Sequence, residues 1–151
     1  MESVYEQVAE LIAHRQPCVA LTGAGISAES GIPTFRSKGG LWEKFDPAVY
    51  ASIEMFRKDP SKYWSIRGEF IRNYDTTSPN PGHLALAELE AMGLLRHVIT
   101  QNIDGLHRKA GSRSVTEIHG RLRESFCVRC GKADRAPKIP AGTPPLCAGG
   151  G

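Results

Sequence analysis

Apolar positions first recur at helical spacing: Val4, Val8, Leu11 and Ile12 predict an amphipathic helix over residues 2–15, ended by Pro17. The pattern then contracts to runs of strand length. Cys18–Thr22 is one, His97–Thr100 a second and Val115–Ile118 a third. Between the first two of these, Leu84, Leu86, Ala87 and Leu89 predict a helix over His83–Met92, with Gly93 suited to its C-cap. A short helix over Asp104–Ala110 is closed by Gly111. The segment before residue 83 is different. Gly31–Asp46, rich in glycine and flanked by proline, reads as a long loop. Ile53–Tyr74 has helical tendency, a break at Asp59-Pro60, and the aromatics Phe56, Tyr63, Trp64 and Phe70. Ser78–Gly82 is a second break. From Cys127 onward Pro137, Pro140, Pro144 and Pro145 mark an irregular module with little core of its own. Strands separated by helices predict an α/β chain around an open parallel sheet.

At 151 residues the chain is long enough for a domain that buries roughly two-thirds of its unfolded surface. No apolar run approaches the ~20 residues of a membrane helix, and Glu2, Glu6 and Glu10 are out of place in a signal peptide. A cytoplasmic chain with no membrane partner is therefore expected. The net charge of +3 gives nucleic acid no footing. Arg121, Arg123, Arg129, Lys132 and Arg135 are interspersed with acids and form no basic stripe. Of four cysteines, Cys127, Cys130 and Cys147 cluster late with a Cys-x-x-Cys spacing, which without a secretion signal reads as metal before disulfide. Cys18, on a strand, reads as a small core residue.

The candidate chemistry lies after the strands. Residues 22–36 read Thr-Gly-Ala-Gly-Ile-Ser-Ala-Glu-Ser-Gly-Ile-Pro-Thr-Phe-Arg. Gly23 and Gly25 permit a turn that brings bare amide N–H groups against an anion, and Ser27–Ser30 could open a helix behind it, so the run has the parts of a phosphate cradle. It could equally be a tight turn. After the second strand come Gln101, Asn102 and Asp104, able to bond sugar hydroxyls or an amide where open α/β sheets bind ligands; the alternative is a helix N-cap. His119 follows the third strand and is either a general base or a structural residue. An ordinary dinucleotide fold places an acid ~20 residues past its glycines. Asp46 has that rough spacing but lies beside Pro47 in a loop, and the excursion over residues 32–82 is too long for a plain dehydrogenase.

Three runs in order, GAGISAESGIPTFR (residues 23–36), TQNIDGLH (100–107) and His119-Gly120, followed by the cysteine pair, resemble the sirtuins, the NAD-dependent protein deacylases. The resemblance covers residues 2 to about 147. It implies a partial Rossmann-like parallel sheet over residues 1–120, including the cofactor loop and helical excursion, and a small zinc-ribbon-like module over 121–151. It implies that Gly23, Ala24, Gly25, Ile26, Ser27, Ala28 and Glu29 line the NAD site. Thr34, Phe35, Arg36 and Trp42 would belong to the mobile loop that shields the nicotinamide ribose. Gln101, Asn102, Ile103 and Asp104 would hold nicotinamide and its ribose, His119 would be the general base, and Cys127, Cys130 and Cys147 would bind zinc. The implied partner is an acyl-lysine protein or peptide; the products are nicotinamide, free lysine and O-acyl-ADP-ribose.

Three departures sharpen that expectation. A complete zinc site would place a fourth cysteine at position 150, where this chain has Gly150, so the ligand set is incomplete and the thiols could be ordinary cysteines. A Tyr-x-x-Arg pair marks sirtuins that prefer acidic acyl groups. The matching positions here are Arg67 and Phe70, so a neutral acyl group is expected and Arg67 reads as part of a solvated helix face. Sirtuins also continue past this point into a substrate-pairing strand and further phosphate contacts, so the chain reads as an N-terminal portion. An ADP-ribosyltransferase using the same NAD site, and a non-catalytic zinc-ribbon module, are the alternative readings.

Overall fold

A computed structural model describes residues 3–34, 40–135 and 144–147. In chain order the elements are α1 (Val4–His14), β1 (Cys18–Thr22), a 3₁₀ segment (Ala24–Ser30), α2 (Leu41–Lys44), α3 (Pro47–Tyr50), α4 (Ile53–Lys58), α5 (Pro60–Asp75), α6 (Pro81–Ala91), β2 (Leu95–Thr100), α7 (Leu106–Lys109), β3 (Val115–Glu117), β4 (Glu124–Phe126) and β5 (Ala133–Arg135). They fall into two compact units. One joins the chain up to Ser30 with Ser78–His119; the other joins Gly31–Thr77 with the chain from Gly120 onward.

In the first unit β1, β2 and β3 form a parallel sheet in that order. Parallel strands need a crossover, and α6 supplies the one that leads into β2. Its Leu86 and Leu89 pack on the cluster of Leu95, Val98 and Val115, which Cys18 and Ala20 of β1 also join. Alternation along β1 sends Cys18, Ala20 and Thr22 to one side and leaves Val19 and Leu21 exposed on the other. Helix α1 is built as its spacing predicts and opens on a capping box between Ser3 and Glu6, but its apolar positions Val4, Val8 and Leu11 stay exposed.

In the second unit α3, α4 and α5 follow one another with acidic or hydroxyl caps at Asp46, Ser52 and Asp59. Asp46 therefore spends its carboxylate on the Ala48 N–H, 2.9 Å away, as a helix cap. The loop expected over Gly31–Asp46 contains the helical turn α2, which is too short to register as a period in the sequence. Where an irregular module was expected after residue 121, β4 and β5 pair as an antiparallel hairpin.

Candidate functional site

Strands β1 and β2 end in register, Thr22 opposite Thr100, so the two polar runs that follow them start side by side. The Gln101 N–H bonds back to the Thr22 carbonyl at 3.0 Å. From there the side chains interlock. Asn102 donates through Nδ2 to the Gly23 carbonyl (3.0 Å) and to Ser27 Oγ (3.1 Å). Ser27, fully buried, donates its hydroxyl proton to Asp104 Oδ2 at 2.7 Å. Asp104 Oδ1 accepts the Leu106 N–H at 2.9 Å. One carboxylate thus starts α7 and ties the glycine run to the loop after β2.

Behind these residues lie two buried histidines that the sequence reading left aside. His83 stands in the first turn of α6, its Nδ1 3.0 Å from Asn80 Oδ1. Its Nε2 also comes to 3.5 Å from Ser27 Oγ, and its ring lies 4.9 Å from that of His107. His107 Nε2 pairs with Thr22 Oγ1 at 2.9 Å, while its Nδ1 is buried with no partner among the described residues. Burial pushes the pKa of both rings down; His83 adds to the shift at His107, and Asp104 opposes it at both. Asn80 completes the assembly, donating to the Ile26 carbonyl at 2.6 Å while its oxygen accepts the Gly82 and His83 N–H groups. The Asn-Pro-Gly-His run in residues 80–83 was the available signal, an N-cap followed by proline, with nothing in it to say what else the histidine touches.

His119 is exposed just past β3, and its Nδ1 lies 2.9 Å from the Gln101 carbonyl. A carbonyl oxygen only accepts, so Nδ1 carries a proton, and in the neutral ring Nε2 is the basic nitrogen. That is the tautomer a general base requires. Gly25 faces open space: a Cβ built on it meets nothing within 4 Å. The same construction at Gly23 reaches Gln101 at 3.9 Å. Ala24, Ile26, Ala28 and Glu29 share the 3₁₀ segment with Gly25 and Ser27, in place of the α-helical start expected there. Ile103 is half-buried between Asn102 and Asp104.

The second unit holds the thiols. Sulfurs of Cys127, Cys130 and Cys147 all lie within 4.8 Å of one another, and the last two are 3.6 Å apart. A disulfide needs ~2.05 Å, whereas sulfurs sharing one tetrahedral zinc at ~2.3 Å lie about 3.8 Å apart. The Gly131 N–H closes on the Cys127 carbonyl at 2.8 Å, and the Cys127 N–H on that of Lys132 at 3.0 Å. Backbone N–H groups of Cys130 and Arg129 lead the causes that hold the Cys127 thiol down to about 7, with the other two thiols adding to them. The donor set fits zinc with three protein ligands. Position 150 lies outside the described residues.

Comparison with known proteins gives the family of the chain. The model of the Sir2 family matches residues 23–147. The chain belongs to the Sir2 family. It is 52% identical over 143 residues to NAD-dependent protein deacylase 2 of Pyrobaculum aerophilum, covering 93% of this chain and 56% of that protein. It is 51% identical over 127 residues to the NAD-dependent protein deacetylase of Saccharolobus solfataricus, covering 84% and 51%. Among solved structures, a Sir2 homologue in complex with NAD superposes with a TM-score of 0.83 at 43% identity, over 97% of this chain and 58% of that one. A Sir2 variant with a deacetylated p53 peptide and 3′-O-acetyl ADP ribose gives 0.79 at 41% identity, over 86% and 52%. This Sir2 chain spans about half the length of the relatives it matches.

Within this Sir2 chain, Gly23, Gly25, Ser27, Gln101, Asn102, Asp104 and His119 gather at one end of the parallel sheet in the first unit. Thr34, half-buried, belongs to the second unit. Phe35 and Arg36 lie outside the described residues, as does the side chain of Trp42, whose backbone is in α2. One expectation is overturned. Arg67 does not lie on a solvated face; it is 4% exposed, and its guanidinium is spent inside the second unit.

Proposed function

We propose that this chain carries the nicotinamide-ribose side of an NAD-dependent protein-lysine deacylase. The observation that carries the reading is the interlocked Gly23–Ser27–Asn102–Asp104 cluster at the ends of β1 and β2, with His119 beside it as a base of fixed tautomer. The cluster fits NAD in its donor set and in the open space before Gly25. When bound, NAD supplies an electrophilic ribose that loses nicotinamide and takes the acyl group from an acyl-lysine peptide.

The chain's own residues would divide the labour. Backbone N–H groups of Gly23–Gly25 would meet the pyrophosphate, with Ile26, Ser27, Ala28 and Glu29 completing that wall. Asn102 and Asp104, held rigid by Ser27, would position amide and ribose hydroxyls, and Gln101 and Ile103 would border them. His119 Nε2 would accept the proton from a ribose hydroxyl, with the imidazolium kept in place by its Nδ1–H bond to Gln101. Thr34, Phe35, Arg36 and Trp42 are assigned to the cofactor by resemblance. Zinc would be held by Cys127, Cys130 and Cys147 and would serve structure rather than the reaction.

Arg67 supports a neutral acyl group such as acetyl, because its guanidinium is buried and its two terminal nitrogens donate to protein oxygens rather than to an acidic acyl chain. The test is a chimera in which this chain replaces the matching segment of the Pyrobaculum aerophilum relative. With NAD and acetyl-lysine peptide it is expected to release nicotinamide and acetyl-ADP-ribose, and to process a succinyl peptide more slowly. A folded chimera that binds no NAD overturns the reading. Radiolabel transferred from NAD onto the protein substrate would replace it with ADP-ribosyl transfer, and faster succinyl removal would overturn the acyl preference.

A further inference from the structure

Arg67 is a buried cation whose neighbours are dipoles and rings. Its guanidinium donates to the carbonyl of Leu122, to that of Glu124 at 3.3 Å, and to the hydroxyl of Tyr63 at 2.9 Å. It stands over the Trp64 ring, 4.8 Å from the centroid, and over Tyr63 at 5.7 Å. Its Nε is buried with no partner among the described residues. Burying a charge on such partners is costly unless their geometry is held fixed. The acceptors belong to a chain segment 55 and 57 residues away, so the bonds are non-local.

Leu122 and Glu124 lie at the base of the β4–β5 hairpin, and the turn of that hairpin begins at Cys127, one residue past β4. One side chain of α5 therefore grips the base of a hairpin whose tip presents two of the three clustered thiols. Fixing the tip through metal–thiolate bonds and fixing the base through Arg67 restrain the same segment, from Leu122 to Cys130. An arginine suits this task because its planar fork reaches several acceptors at once, which a single ammonium does not.

We propose that Arg67 is a positioning residue for the metal cluster and couples metal loading to the order of α5. The proposal rests on the metal reading given above. Both follow from measurements on the whole chain. Zinc uptake and its removal by a chromogenic chelator give stoichiometry and affinity, and cobalt(II) substitution gives the thiolate charge-transfer band. Arg67→Met is expected to weaken zinc roughly tenfold and reduce the cobalt band, Arg67→Lys to recover part of the loss, and the exposed Lys58→Ala to change neither. In the unsubstituted chain, chelation is expected to speed amide exchange across Pro60–Asp75 while leaving Leu95–Thr100 as it was.

The outcomes separate the two readings. No zinc uptake by the unsubstituted chain sinks the metal reading and the coupling with it. Uptake with exchange in α5 untouched by chelation, or full zinc affinity in Arg67→Met, sinks the coupling alone. The exchange measurement needs no variant, so it decides the matter even if Arg67→Met fails to fold.

Discussion

At the scale of single residues, His119 has the clearest consequence. Its ring is exposed, its one described bond is to the Gln101 carbonyl, and no buried group depends on it. His119→Ala in the chimera should therefore leave the melting temperature and NAD affinity unchanged while acyl transfer falls by about 10²–10⁴, the usual worth of a positioned base. Steady-state release of acyl-ADP-ribose beside calorimetric NAD binding would check it; equal loss of both would make the histidine a binding residue instead. How much of this was legible depended on the residue. His119, Asn102 and Asp104 stood out because polar side chains directly after the strands of an open parallel sheet lie where such sheets bind ligands. His107 did not, because its work is done with Thr22, 85 positions away, and no local pattern encodes such a pairing. Arg67 was misplaced for the same reason: a basic residue on a helix reads as solvated until the carbonyls that surround it are known.

At the scale of elements, α6 is the piece on which the site leans. Asn80 caps it, holds the Ile26 carbonyl and orients His83. Asn80→Ala removes the cap and takes the Asn80 donor from the part-buried Ile26 carbonyl, so a loss of about 1–3 kcal/mol is expected from these two effects. Asn80→Asp, which keeps the acceptor and loses the donor, should fall between. Denaturant midpoints would show the order, and an alanine variant as stable as the parent would contradict it. The two histidines behind α6 and α7 add a pH dependence whose sign is fixed. Burial lowers both pKa values in the folded chain, against the partial opposition of Asp104 and, for His107, Glu117. The unfolded chain then binds more protons than the folded one below its own value of ~6.5, so their contribution is whole above that pH and is lost as pH falls toward the folded values. Urea midpoints at pH 7.5, 6.5 and 5.5 should begin to fall by pH 6.5 and fall further at pH 5.5. The carboxylates act below this window, since Glu90, hydrogen-bonded to the Arg113 and Ser114 N–H groups, is lowered from an already acidic value. Strands and long helices were legible because their periods repeat. The turns α2 and α3 were not, for a four-residue helix has no second period to display.

At the scale of the whole molecule, the distribution of apolar surface is uneven. Leu86 and Leu89 of α6 cover one side of the sheet, while on β1 Val19 and Leu21 are 53% and 71% exposed. Val4, Tyr5, Val8 and Leu11 of α1 are exposed as well. β1 is also an end strand of its sheet, with no partner beyond it among the described residues, and it is mostly apolar and uncharged over Cys18–Thr22. Such an edge is a template for pairing with another chain, and exposed apolar surface of this kind promotes association. The 151-residue chain on its own should therefore self-associate as its concentration rises. Leu21→Lys places a charge on the exposed side of the strand, where the parent side chain makes little of its core, and it should shift the chain toward monomer with the unfolding midpoint held within about 0.5 kcal/mol. Light scattering across a concentration series, parent beside variant, measures this. A parent chain that stays monomeric throughout would show that the exposed strand is protected by some other means. A variant that associates as readily would move the contact away from β1, toward the apolar positions of α1.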